Sequence, residues 1–362
     1  MKRLLFLFLG VAVLVGLAAY YVPAPAARVG GSAVSRRSLG TDLQAIAGST
    51  GYQCYLSEEK SLTAGRPESV QVQGVSTSGT GAYATAFADT WLSQMLTARV
   101  TAQLLDRHGV TVNPGDMTVG KSVLERRITG VLSTYARDSG STAACGGSGK
   151  AVLASLPPSF VSEQVRAQTD QSLLEAHAVG AGIQGNQLAS YFTAHRAEFD
   201  KVCLSVIVVA TKKKADAVDL AIKGGTPFAQ EAKASSIDSS TASSGGAAGC
   251  GVLAGTSLLG PLGHLATGKV SPPIAYNSSY LVAEVTSRTP VHFTTVANTV
   301  LTVLLLAGQH KADAEVASTL RSGAVTVDAR FGHRKSGSSL IVPPSHPPLT
   351  SLLTARANTP GA

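Results

Sequence analysis

Apolar and polar positions change rhythm several times along this chain, and each change marks an element. From Leu4 to Val22 there is no charged residue for 19 positions, and Lys2 and Arg3 precede the run. A bilayer core takes about 20 apolar residues as a helix, and a cleavable signal usually has a shorter apolar region. The run therefore predicts a single N-terminal anchor with Lys2 and Arg3 on the cytoplasmic side and the rest of the chain beyond the membrane. Ala24-Pro25-Ala26 also offers a small-x-small cleavage pattern, so secretion after processing is the alternative.

Beyond a Pro/Ala spacer, a helical period runs from Arg36 to Ala47, with Ser35 placed to cap it. Residues 57–81, rich in Ser, Thr and Gly, read as a loop. Phe87, Trp91, Leu92, Met95, Leu96, Val100 and Leu104 then recur at spacings of three and four, one wide apolar helix face that stops at Gly109. Further helical patterns run from about Pro114 to Tyr135, from Pro157 to His177, and from Gln187 to Phe199 behind a capping Asn186. None of these amphipathic helices is stable alone, so together they imply a helical lobe.

At Val202 the period shortens. Val202 to Val209 is a continuous apolar run rich in β-branched residues, read as a buried strand. Helical patterns follow at about Lys213–Lys223 and Pro227–Ala234, then a Ser/Gly loop from Asp238 to Gly251. Val270–Ile274 and Tyr280–Val285 read as two more strands, which makes the segment a small α+β domain. A helical pattern returns at about Thr295–Arg321. Its apolar part is too short, and its end too polar, to span a bilayer, so it needs a packing partner, and the helical lobe is the available one. The organisation is then anchor and spacer 1–27, helical lobe 28–200, α+β domain 201–290, returning helix 291–330, and an extended Pro/Ser-rich tail 331–362.

Composition narrows the function. Hydrophobic residues make up 44% and charged residues 14%, enough apolar surface for packed cores rather than disorder. The net charge of +8 is scattered, with Lys212-Lys213-Lys214 the one tight run, and no basic stripe interleaves with aromatics. Nucleic acid is therefore not an expected partner. The four cysteines, Cys54, Cys145, Cys203 and Cys250, form no CxxC pair, so neither a zinc site nor any other metal or cofactor is expected. In an oxidising compartment an even number suggests disulfides. Cys54–Cys145 and Cys203–Cys250 are favoured because each pair stays within one domain, and buried free thiols are the alternative.

Several stretches resemble the SurA/PrsA class of exported folding factors, in which a parvulin (PpiC-type) domain interrupts a helical chaperone lobe. Arg28 to Ser35 is similar to that family's opening V-N-G-x-x-I-S, and Leu104 to Val112 resembles its helix end followed by A-x-x-x-G-I-x-V. Leu188 to Phe199 resembles its entry to the parvulin domain, Y-Y-x-x-N-x-x-x-F. Gly224 to Ala232 is similar to G-x-D-F-x-x-L-A, and Ser236-Ile237-Asp238 to the S-x-D step. Gly245 to Gly249 sits where G-G-D-L-G belongs, and Gly268 to Pro273 resembles G-E-V-S-x-P. The resemblance covers most of residues 28–345.

It implies a peptidyl-prolyl cis-trans isomerase acting on unfolded segments of exported proteins. Isomerisation needs no metal and no covalent step, only a desolvated or twisted amide and a hydrogen bond to the proline nitrogen. Parvulins are credited with a polar cluster of two histidines and an Asp or Cys beside an apolar proline pocket. Carried onto this chain, Asp238 matches the acidic position, Ser205 replaces the first histidine, and Leu281 beside Tyr280 replaces the second. Ala247 stands for the Asp of the G-G-D-L-G loop, and Leu258 or Leu259 for the pocket aromatic. The expected catalytic pair is Asp238 with Ser205, which can share a hydrogen bond; Leu258, Leu259 and Tyr280 are the expected substrate-binding residues. Loss of both histidines leaves a second reading, a catalytically inactive parvulin-like chaperone or envelope assembly factor. Asp238 as a turn-capping acid, Leu258 and Leu259 as ordinary core, and His264 as a surface or satisfied core group are the bland alternatives.

Overall fold

The computed structural model describes residues 25–63, 85–139, 147–334 and 341–342. The apolar run Leu4–Val22, most of the loop read at 57–81, Cys145 and the tail beyond Val342 lie outside the described residues. Among the described residues no helix is long and apolar enough to cross a membrane. The chain forms two compact units, residues 1–174 with 311–362, and residues 175–310.

The first unit opens with a short hairpin. β1 (Pro25–Val29) turns back through Gly30, whose φ of +55° suits glycine, into β2 (Ser32–Ser35). The Ser35 hydroxyl accepts the Ser38 amide at 2.9 Å and so caps α1 (Arg36–Ala47), as its sequence position predicts. The helix α2 (Thr50–Thr63) corrects the loop boundary, because residues 57–63 continue the helix. Burial of Tyr52, Tyr55 and Leu56 holds this helix where the small polar residues ahead suggest none. α3 (Thr85–Arg107) buries Phe87, Trp91, Leu92, Leu96, Val100 and Leu104. It ends at Gly109, φ +69°, where the Val110 amide reaches back to the Leu105 carbonyl at 2.9 Å.

α4 (Pro114–Ser139) starts on a reciprocal cap. Asn113 Oδ1 accepts the Gly115 and Asp116 amides, while Asp116 Oδ2 accepts the Asn113 amide. A short α5 (Gly149–Ala154) leads to α6 (Pro158–His177). Gly120 permits close packing of α4 on α6, since a Cβ there would lie 2.0 Å from Thr169 Oγ1. The core of the unit centres on aromatic contacts, with Trp91 stacked on Phe160 at 5.9 Å and Tyr52 edge-on to Phe160 at 5.4 Å.

The second unit begins in the last turn of α6 and continues through α7 (Gly185–Ala194) and a 3-10 turn at Arg196–Phe199. The helix thus starts at Gly185 rather than behind a capping Asn186, and breaks before Phe199. β3 (Lys201–Val209), α8 (Lys212–Lys223), α9 (Phe228–Ser235) and the single turn α10 (Ser239–Ala242) follow. Next come β4 (Ala247–Val252), α11 (Leu259–Leu262), β5 (Ile274–Tyr276) and β6 (Ser279–Thr289). The sheet is antiparallel throughout, in the order β4-β3-β6-β5. The strand read at Val270–Ile274 shrinks to β5, because Pro272 and Pro273 offer no amide to a ladder; Val270 makes only an isolated bridge to Glu284.

The long helix α12 (Phe293–Ser322) begins in the second unit and ends in the first. Within the first unit it returns to the helical lobe, with Glu315 held by His108 at 2.9 Å. β7 (Val325–Val327) then pairs with β1, giving the sheet order β2-β1-β7. The Arg36 guanidinium bonds Asp328 just after it. Two-residue strands β8 (His333–Arg334) and β9 (Ile341–Val342) pair beyond this point, in a stretch the sequence suggests is extended.

Candidate functional site

Alternation along β3 sorts the candidate residues onto two faces. Val202, Leu204, Val206 and Val208 join Leu281, Ala283 and Val285 of β6 in one apolar cluster. Leu253, Leu258, Leu259, Leu262, Leu265 and Ile274 cover that face. Ile207 and Val209 join Val282 of β6 on the other face, beneath Ala215, Val218, Phe228 and Ala232 of α8 and α9, with Tyr280 packed alongside.

Ser205 lies between Leu204 and Val206, so strand alternation turns it to the α8–α9 face. Tyr280 shares that face, whereas Leu258 and Leu259 lie on the opposite one. The structure therefore brings Ser205 and Tyr280 to one side of the sheet, and separates them from the two leucines read as the proline pocket. Leu258 and Leu259 are half-buried and pack on the cluster that contains Leu281.

Asp238 sits where the chain leaves the edge of β3. The Ile237 amide donates to the Val208 carbonyl at 2.8 Å, and the Ser236 hydroxyl accepts the Val208 amide at 3.2 Å. Asp238 then caps α10. Its Oδ1 accepts the Ser240 amide at 3.1 Å and the Ser240 hydroxyl at 2.6 Å, and its Oδ2 accepts the Thr241 hydroxyl at 2.8 Å. These bonds favour the ionised form, so the Ser240 and Thr241 hydroxyls hold the carboxyl below the usual carboxylate range. The bond that the sequence allows between Asp238 and Ser205 is not formed. Asp238 has the geometry of a turn-capping acid, because neighbours two and three residues away reach it first.

Glu284 is the polar residue that sequence reasoning missed. It is the register partner of Ser205 across β3 and β6 and lies between Ala283 and Val285 of the opposite cluster, which turns it to the Ser205 face. Only the strand register reveals this pairing. Ala247 is the partner of Ser205 on the other side. Lys212, the first of the three consecutive lysines, is paired with Asp216 at 2.8 Å, and His264 is exposed. Among the described residues no group of three or more His, Cys, Asp or Glu side chains could hold a metal ion.

A disulfide joins Cys203 to Cys250, directly opposite each other on β3 and β4, as the domain-wise pairing predicts. Cys54 is also disulfide-bonded; Cys145, its favoured partner, lies outside the described residues. The Asn277-Ser278 pair forms the two-residue turn between β5 and β6, with φ of +43° and +63°.

Residues 186–298 match the family model of the PPIC-type PPIASE domain, a span that falls within the second compact unit. No curated protein matches the chain. Among solved structures the chain is similar to the foldase protein PrsA from Streptococcus pneumoniae, with 19% identity over 64% of this chain and 83% of that one and a TM-score of 0.35. It is also similar to the peptidylprolyl isomerase PrsA from Bacillus cereus, with 14% identity, 72% and 95% coverage and a TM-score of 0.38. The parvulin domain of PpiD from E. coli is a third, with 24% identity, 26% and 92% coverage and a TM-score of 0.24.

Proposed function

We propose, from a chain whose residues 186–298 belong to the PPIC-type PPIase (parvulin) domain family, that this protein is an extracytoplasmic folding factor that holds extended segments of exported proteins and accelerates prolyl isomerisation weakly or not at all. One observation carries the reading. Leu281, where the resemblance expects a histidine, is 3% exposed and closed into the sheet's apolar core. An aliphatic side chain there can pack but cannot donate a hydrogen bond to a twisting amide. Asp238 is meanwhile committed to its own loop, and Ser205 faces Glu284 rather than Asp238.

The compartment is part of the proposal. Disulfide-bonded Cys54, Cys203 and Cys250 fit an oxidising space beyond the membrane, and Leu4–Val22 is the proposed single anchor. Extended apolar segments of clients are the proposed ligands, bound weakly per unit area because each must be ordered on binding.

A protease-coupled assay on a cis-proline peptide, run beside an aggregation assay on an unfolded exported protein, tests the reading. The expected result is a rate equal to or only slightly above that of the uncatalysed peptide, unchanged in Asp238→Ala, with aggregation suppressed at equimolar chain. Catalysis that disappears in Asp238→Ala would overturn it in favour of a working isomerase, the reading that the family match itself favours.

A further inference from the structure

We infer that the Cys203–Cys250 disulfide is a redox clasp that decides whether β4 stays on the sheet. β4 is an edge strand whose one partner is β3. Its sequence is Ala-Ala-Gly-Cys-Gly-Val, and Ala247 through Gly251 are all exposed. Strand-forming side chains are nearly absent, and no residue of that stretch buries apolar surface to hold it. The stretch is anchored beyond each end. Gly246 packs so closely that a Cβ would lie 2.7 Å from the Val206 carbonyl oxygen and 3.2 Å from Phe228, and Leu253 is 7% exposed at the far side. Between those anchors, among the described residues, backbone hydrogen bonds to β3 and the disulfide are what holds the strand.

The bond is reachable. Cys250 is exposed and Cys203 half-buried, so an incoming thiolate meets the Cys250 sulfur first. The co-reactant is a dithiol. One of its thiolates attacks Cys250 Sγ, forms a mixed disulfide and expels Cys203 as thiolate. Its second thiolate attacks its own sulfur in that mixed disulfide and releases the Cys250 thiolate. Two electrons pass from the dithiol, which leaves as a disulfide, and both cysteines take up protons from water. With the cross-link gone, β4 exchanges between paired and unpaired states, and the β3 edge from Lys201 to Ser205 opens. That edge is a row of unpaired amides and carbonyls of the kind an extended segment can join. This last consequence rests on the folding-factor reading; the clasp itself does not.

Hydrogen exchange on the full chain tests it. After dithiol treatment and alkylation of the freed thiols, amides of Ala248–Val252 are expected to exchange at least about tenfold faster, while those of Leu281–Val285 keep their protection. Reduction also opens the Cys54 bond, so the double variant C203A/C250A, measured without reductant, must reproduce the change. Unchanged β4 protection in the alkylated chain or the variant would overturn the clasp. So would loss of β6 protection together with β4, which would make the bond a staple of the whole domain, or failure of a dithiol to cleave it in the folded chain. The aggregation assay on the oxidised chain tests client binding separately, so the two ideas fail by different measurements.

Discussion

Ser205 and Glu284 are register partners in the middle of the four-stranded sheet, and the residues flanking each pack in its core. The face they share holds a carboxylate and, at Ser205, a hydroxyl where the resemblance expects the first of two imidazoles. The face behind them is closed by leucines. Restoring a histidine is therefore not equivalent at the two positions. Leu281→His would exchange a buried aliphatic group for a polar ring among Val206, Leu258 and Leu262, with no partner in that cluster. A cost of about 2–4 kcal/mol follows from lost apolar burial and an unsatisfied polar group. Ser205 is half-buried opposite a carboxylate, and Ser205→His should cost under about 1 kcal/mol. Urea denaturation of the two variants checks the contrast, and equal losses would refute the assignment of the two faces.

Asp238 gives a pH signature of definite sign. Its folded pKa lies below the unfolded value because the Ser240 and Thr241 hydroxyls favour the carboxylate. The stability it contributes is thus complete above the ordinary carboxylate range and is lost as pH falls through the lowered folded value. Hydrogen exchange of residues 239–246 should show this turn loosening in acid. Asp238→Ala should show the same loosening at neutral pH and no further pH dependence in that range. A turn whose protection does not depend on residue 238 would leave the carboxylate without a capping role.

Two buried acids in the helical unit titrate the other way. Asp89 is 1% exposed, neither of its carboxylate oxygens is hydrogen-bonded among the described residues, and burial pushes it up to about 7. Asp42 is pushed up to about 6, mainly by burial, against the opposing hydrogen bond from Trp91 Nε1 at 3.0 Å. The native state therefore keeps protons that the unfolded chain releases near pH 4. Stability from these sites falls as pH rises from about 4 through about 7. Asp89→Asn should leave stability at pH 4 nearly unchanged and raise it at pH 8 by about 1–3 kcal/mol, the scale of relief for a buried unsatisfied group. Thermal melts at both pH values decide it, and a variant equally destabilised at both would show that Asp89 has a partner when ionised.

The parts of this fold legible in the sequence are those whose apolar period carries the packing. The helix from Thr85 to Gly109 is one continuous stripe with a glycine stop, and Val202–Val209 is one apolar run rich in β-branched residues. β4 was not legible, because Ala247–Gly251 has the composition of a loop and is a strand through its long-range pairing with β3. The hairpin of β1 and β2 was hidden for a similar reason, since its third strand, β7, lies almost 300 residues away in sequence at Val325–Val327. At the site, residue types could be matched to motif positions, but faces could not. Whether Ser205 meets Asp238 or Glu284 depends on strand register and on the irregularities beside Leu204, which no local pattern announces.

The tight turn between β5 and β6 offers the last test. Asn277 and Ser278 both take positive φ, the arrangement of a two-residue type I′ hairpin. Asn tolerates that region, but Ser278 at φ +63° bears the crowding between Cβ and backbone that glycine lacks. Ser278→Gly should stabilise the hairpin by roughly 0.5–1 kcal/mol, because relief of the left-handed conformation exceeds the added freedom of the unfolded chain. Ser278→Val should destabilise it by more than that, since a β-branched side chain is the least compatible with positive φ. Denaturation midpoints of the two variants should lie on opposite sides of the parent. Midpoints shifted in the same direction would mean that the turn does not hold this conformation in solution.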